Sequence, residues 1–212
     1  MVSIIITNYN YGRYIGRCIR SCLQQKHTDV EVIVVDDCST DNSEEIIKSF
    51  GDKVKFYKTP NNSGVAVASN LGIQNSSGQF IIRVDADDYV NENFIKFLVL
   101  HLELNNNLDA IACDYYMVDN EENVIEQKNC MKDPIACGIL FRTDQIIDIG
   151  LYDEEFLLHE EKDLRIRFLK KYNIDRAKLP LYRYRLHENN NTKNLKKMKH
   201  HFKKLKKKHK IR

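Results

Sequence analysis

Three carboxylates, Asp85, Asp87 and Asp88, crowd into four residues directly after the apolar run 80–84. Like charges packed this closely cost free energy unless a cation neutralises them. Asp85 and Asp87 flank one spacer, Ala86, so at a strand end both can aim their oxygens at one point. Oxygen ligands of this kind favour a hard divalent cation, Mg2+ or Mn2+. Such an ion carries the charge of a bound diphosphate and stabilises it as a leaving group. The bland alternative is a solvated acidic turn, with Asp88 capping a helix that starts near Glu92. An aspartyl-type phosphotransferase or phosphatase also uses an acidic strand end. It needs a small hydroxylated or β-branched residue two places after the second Asp, and Tyr89 stands there instead.

Two further polar clusters follow apolar runs in the same way. Thr7-Asn8-Tyr9-Asn10 closes the run that starts at Val2, and Asp36-Asp37 closes the run over 30–36. Asp41 and Ser43 already offer groups to cap the next helix, which leaves Asp36-Asp37 able to accept hydrogen bonds from a base or ribose. Tyr9 offers a stacking face for a nucleobase; taken alone it is equally a half-buried aromatic.

These clusters need a scaffold that brings them together. Strand patterns over 2–7, 30–36, 54–58 and 80–84 alternate with helical patterns over 14–25, from Asp41 onward, and over 65–75. Near-continuous apolar strands separated by helices predict an α/β fold with a mostly parallel sheet flanked by helices. In such sheets ligands bind beyond the carboxyl ends of the strands, where all three clusters lie. The second half is less regular. Helices are expected over 92–104 and 163–172, strands over 110–118, 139–142 and 179–187, and a hairpin-like turn at 119–123.

Composition sets the class. The chain has 212 residues, 42% hydrophobic and 30% charged, enough to bury a core and far from disorder. Its longest apolar runs are a few residues, whereas a bilayer-spanning helix needs about 20. Met1 leads straight into a strand-like run without a signal-peptide pattern, so a cytoplasmic location is expected. The six cysteines form no CxxC pair, which argues against structural zinc; Cys18 and Cys22 share a helical face with Ile15, Ile19 and Leu23 and read as reduced core thiols.

The net charge of +3 conceals an asymmetry. Residues 193–212 hold ten Lys, one Arg and no acid, so the tail carries +11 and the rest of the chain about −8 (3 − 11). Leu195, Met198, Phe202 and Leu205 recur at three and four, an apolar stripe among lysines. A basic amphipathic helix over Lys193 to Arg212 suits peripheral contact with an anionic membrane. Its removal is then expected to abolish vesicle binding and to spare soluble turnover. No aromatic-interleaved basic surface elsewhere supports nucleic-acid binding.

Val2-Ser3-Ile4-Ile5-Ile6-Thr7-Asn8-Tyr9-Asn10, Val34-Val35-Asp36-Asp37-Cys38-Ser39-Thr40-Asp41, Asn62-Ser63-Gly64 and Val84-Asp85-Ala86-Asp87-Asp88-Tyr89 resemble, in order and spacing, the family 2 glycosyltransferases of GT-A fold. The similarity continues through Gly138-Ile139-Leu140-Phe141-Arg142 and Gly150-Leu151-Tyr152-Asp153-Glu154, covering roughly residues 1–190. The resemblance implies a nucleotide-sugar-binding half over about 1–104, an acceptor and catalytic half over about 105–190, and the basic tail over 191–212 as an addition.

It also implies roles. Thr7, Tyr9 and Asp37 match the nucleobase pocket, with Tyr9 stacking and Asp37 accepting from the base. Asp85 and Asp87 match the DxD motif, with Asp87 a direct metal ligand and Asp85 facing ribose or metal. His187, within Tyr184-Arg185-Leu186-His187, matches a position that often completes the metal shell, and Arg185, with Arg183, could face diphosphate. Relatives carry a Glu-Asp pair whose Asp is the general base; Glu160-Glu161 stands there, which keeps a carboxylate and lengthens its reach. Glu161 is then the base, with Asp163 as fallback. The function expected is inverting transfer from a nucleoside-diphosphate sugar, UDP-sugar favoured, to a glycan or lipid-linked acceptor. The alternative is a non-catalytic nucleotide-sugar-binding module, made thinkable by the Glu at the base position.

Overall fold

Every residue of strand β1 (Val2–Asn8) is buried, because the chain covers both faces of the sheet it centres. Even-numbered Val2, Ile4 and Ile6 pack with Ile15, Cys18, Ile19 and Cys22 of helix α1 (Gly12–Leu23). Ile5 turns the other way, onto Ala66 and Ile73 of helix α3 (Val65–Gln74). Side chains alternate across a strand, so a continuous apolar run is what a strand covered on both faces requires. Gly72 of α3 lets that helix approach closely: a Cβ there would stand 2.5 Å from Ile5 Cγ2. The computed structural model describes residues 1–27, 29–105, 107–188, 190 and 195–210.

Among the described residues one nine-stranded sheet runs β3 (Lys55–Lys58), β2 (Val30–Asp36), β1, β4 (Phe80–Asp85), β8 (Ile139–Arg142), β6 (Ala110–Val118), β9 (Ile174–Arg185), β5 (Tyr89–Val90), with β7 (Val124–Lys128) on β6. The first four strands are parallel, β8 pairs antiparallel with β4 and β6, and β6 pairs parallel with β9. Strands from residues 1–104 and from residues 105–190 therefore share one sheet. Helix α2 (Ser43–Lys48) follows β2; α4 (Phe94–Leu104), α5 (Thr143–Asp148), α6 (Glu160–Phe168) and α7 (Leu195–His209) complete the chain. The arrangement is that of a GT-A fold.

The expected elements recur with shifted ends. The N-cap of α2 is Asn42 rather than Asp41, and it makes no side-chain cap bond. Asp41, one residue ahead, accepts from the Ser43 N–H at 3.0 Å, and its second oxygen accepts from the Gly12 N–H at the start of α1, which begins two residues ahead of the predicted helix. Helix α6 starts at Glu160 rather than Asp163, and its first turn carries three acids, matching the positive end of the helix dipole. All six cysteines are free, and five are buried.

The tail forms a helix that packs on the body. Leu205 of α7 is buried, Met198 is half-buried and Phe202 is 41% exposed. Part of the apolar stripe is thus spent on the protein itself. Lys193, Arg212 and the Leu195 side chain lie outside what is described. Among the described residues no helix is long and apolar enough to cross a membrane.

Candidate active site

Sheet register brings the three polar clusters to one edge. Thr7 pairs with both Val35 and Asp85, and Asn8 pairs with Asp36. Residues at the ends of β1, β2 and β4 therefore stand at one level, and the 85–88 loop turns inward from there.

Within that loop Asp87 is buried, and its Oδ2 lies 2.8 Å from Nε2 of His187. The imidazole is held by Tyr11, edge-on at 5.6 Å between ring centroids, and by Tyr14 at 5.0 Å. Burial pushes the Tyr11 phenol well above its ordinary value, and the charges of Asp87, Asp85 and Asp88 push it further. Asp87 is raised too, first by burial and then by Asp85, with the His187 hydrogen bond opposing.

Asp88 caps no helix: α4 begins at Phe94 behind Asn93. Its carboxylate is buried and accepts from Tyr182 Oη at 2.7 Å and from the Arg185 N–H at 2.7 Å. The Tyr182 hydroxyl in turn accepts from the Asp85 N–H. This network ties the acidic loop to β9, so Asp88 orients its neighbours from below.

The Arg185 guanidinium is buried and donates to the carbonyls of Asp87 (2.9 Å), Asp119 (3.3 Å) and Asn120 (3.1 Å) and to Glu122 Oε1 (3.2 Å). Four of its five N–H donors are thus spent within the protein, and the guanidinium braces the 85–88 loop against residues 119–122. Arg183 likewise donates to the carbonyls of Pro180 and Tyr182.

Arg83, a charge inside an apolar strand, was not singled out from sequence. It is buried, with Nε 3.3 Å from Asp85 Oδ1 and Nη1 3.3 Å from Glu160 Oε1. One guanidinium thus joins the DxD loop to the first turn of α6. Burial lifts the Glu160 carboxyl to about 7 against the pull of Arg83, with Glu161 and Asp85 lifting it as well. Arg83 thus anchors Glu160 next to Glu161. Glu161 is half-buried and makes no hydrogen bond or ion pair among the described residues. Asp163, the fallback base, is fully buried and committed to Arg167, Lys208 and His209. Those three partners hold it inside the fold.

Tyr9 is 40% exposed. Asp37 is buried and already accepts from Thr59 Oγ1 (2.7 Å) and the N–H groups of Ser63 (2.9 Å) and Gly64 (2.7 Å). It braces the 59–64 loop as the floor of the pocket, with one of its lone pairs left for a ligand. Gly64 is required there, since its φ is +95° and a Cβ would meet Leu157. Thr7 Oγ1 lies 3.5 Å from Asp85 Oδ1.

Among the described residues no set of three or more His, Cys, Asp or Glu side chains converges as a metal cage. The donor types nevertheless fit a hard cation. Asp87 and His187 already touch, and Asp85 is on the same loop.

Comparison with known proteins bears on this arrangement. Residues 3–162 match the family described as "Glycosyl transferase family 2". The glycosyltransferase GlyG of Streptococcus pneumoniae serotype 4 is 35% identical over 125 residues, 58% of this chain and 41% of that protein. An uncharacterized glycosyltransferase of Rickettsia typhi is 30% identical over 207 residues, 89% of this chain and 64% of that one. The chain spans about half the length of the curated relatives it matches. In fold it is similar to Staphylococcus aureus TarS residues 1–349, solved with UDP (TM-score 0.76, 23% identity, 87% of this chain and 60% of that one). It is also similar to the mannosyltransferase PcManGT of Pyrobaculum calidifontis, solved with GDP-Man and Mn2+ (TM-score 0.71, 15% identity, 89% of this chain and 57% of that one).

Proposed function

The chain belongs to glycosyltransferase family 2, and from that premise we propose that it transfers a sugar from a nucleoside-diphosphate sugar to a hydroxyl acceptor with inversion. The observation that carries the proposal is the single cluster at the carboxyl edge of the sheet: Asp87 against His187, and Asp85 joined through Arg83 to Glu160 beside Glu161. An open aromatic face at Tyr9 and the braced Asp37 lie on the same edge, which supports residues 1–104 as the donor half. UDP is favoured as the nucleotide, since a fold neighbour was solved with UDP-GlcNAc.

Inversion requires one displacement. The acceptor oxygen forms its bond to the anomeric carbon as the bond to diphosphate breaks, and the hydroxyl proton passes to Glu161. A hydroxyl is a poor nucleophile at neutral pH, so a positioned carboxylate contributes about 10²–10⁴-fold. Asp85, Asp87 and His187 would hold Mn2+ or Mg2+, which supplies charge compensation to the departing diphosphate. Asp88 and Arg185 keep that loop in shape, and Tyr9 with Asp37 orients the base. The acceptor is a glycan or lipid-linked saccharide met by residues 105–190. Exposed Lys199, Lys203, Lys207 and Lys210 on α7 favour peripheral contact with an anionic membrane on its cytoplasmic face.

The test is to incubate the chain with Mn2+, a panel of UDP- and GDP-sugars and saccharide acceptors, and to measure nucleoside-diphosphate release together with product anomery. Acceptor-dependent release with inverted product is expected. Tight donor binding without acceptor-dependent release would identify a binding module instead, and release without any sugar acceptor would point to a hydrolase.

A further inference from the structure

Helix α7 holds both ends of the one turn of α6 that carries Glu161. At the start of that turn His159 sits in the left-handed region (φ 65°), buried, with Nε2 3.1 Å from the Met198 carbonyl and its ring edge-on to Phe202 at 5.7 Å. At its end stands Asp163, with no exposed surface. Lys208 Nζ lies 2.6 Å from Asp163 Oδ1 and 2.6 Å from Asp153 Oδ2, and His209 Nε2 lies 2.7 Å from the same Asp163 oxygen. Asp163's other oxygen takes Arg167 Nε at 2.7 Å, and Arg167 in turn donates to the carbonyls of Ile149 and Leu151.

Between these two fastenings lie Glu160, held by Arg83, and Glu161, whose side chain makes no hydrogen bond or ion pair among the described residues. Three acids in one turn repel one another, and a buried carboxylate with a partner removed is strongly unfavourable. The ammonium of Lys208 and the imidazole of His209 supply the compensating donors from outside α6. Lys208 also reaches Asp153, so a single cation fixes the spacing between α6 and the loop that enters it.

We propose that Lys208, acting through Asp163, is a positioning residue for Glu161, and that α7 is part of the catalytic unit. The inference rests on the reading of Glu161 as the base. It reverses the sequence-based expectation that soluble turnover survives removal of 193–212. The outward lysines remain available to a membrane, so one helix serves both faces.

The experiment compares full-length Lys208→Met, Lys208→Arg and the exposed control Lys53→Met, which lies outside α6 and α7. Transfer kinetics are measured beside backbone hydrogen exchange of residues 159–164 and of β1. For Lys208→Met, kcat falls at least tenfold, donor KM stays within twofold, and exchange quickens in 159–164 but not in β1. Lys208→Arg recovers at least half of kcat, and Lys53→Met matches the parent. A Lys208→Met kcat within twofold of the parent overturns the proposal. So does exchange that rises in β1 as much as in α6 with Lys208→Arg equally impaired, which is general unfolding. If the parent itself transfers no sugar, the reading of Glu161 as base has failed; local quickening in 159–164 then still supports the brace, and its absence overturns that as well.

Discussion

Nε2 of His187 lies 2.8 Å from Oδ2 of Asp87, a contact that spans one hundred residues of chain and joins the segment after β9 to the loop after β4. Tyr11 and Tyr14 fix the imidazole plane, so the pair meets the pocket in one orientation. His187→Ala is expected to lower Mn2+-dependent transfer about 10–100-fold, the range seen when a ligand or its support is lost. Asp87→Asn should go further and abolish Mn2+-dependent donor binding. Titrating Mn2+ against the initial rate checks both; an unchanged half-saturating Mn2+ concentration in the two variants counts against the metal assignment.

Glu161 carries the chemical step in the proposed mechanism, and among the described residues it makes no ion pair with Arg83 or α7. Glu161→Gln is therefore expected to cost about 10²–10⁴-fold in kcat. Donor affinity, measured by calorimetry with Mn2+, should stay within twofold. A rate equal to that of the parent would remove Glu161 from the mechanism.

Much of this arrangement was legible because it depends on local pattern. Continuous apolar runs announced β1, β2 and β4, and residues just past their ends had to share an edge; parallel register then put Thr7 level with Asp85. Long-range pairing was not legible. Nothing near Arg185 in sequence tells that the carbonyls of Asp119 and Asn120 will claim its guanidinium, so an alternation argument sent it toward diphosphate. Arg83 had a readable signal, a charge in a buried strand, since buried charges need partners. The α7 docking surface was hidden for a different reason: its lysines outnumber any acids nearby in sequence, and the acids they meet, Asp153 and Asp163, lie some fifty residues earlier.

Arg185 gives a prediction that separates structure from binding. Arg185→Met strands three carbonyls and Glu122, and each buried group left unpaired costs about 1–3 kcal/mol. Stability should fall by about 3 kcal/mol or more in urea unfolding, with transfer lost in step with folded protein. A variant of parental stability whose donor KM alone rises would place Arg185 at the diphosphate site instead.

Glu160 makes stability depend on pH in a direction opposite to most acids. Burial raises its folded carboxyl to about 7 from an ordinary 4.5, despite Arg83. The folded protein therefore holds this proton more tightly than the unfolded chain does. Its contribution is fully present below the unfolded value of 4.5 and is lost as pH climbs through the folded value of about 7. At about 1.4 kcal/mol per unit, the fall across that window is on the order of 3 kcal/mol. Glu160→Gln keeps a group that Arg83 can donate to and removes the titration. Urea unfolding at pH 5 and pH 8 should show the parent losing more stability than Glu160→Gln, by on the order of 2–3 kcal/mol. Equal losses in the two proteins would mean that Glu160 stays ionised throughout, held by Arg83, and that the raised carboxyl is wrong.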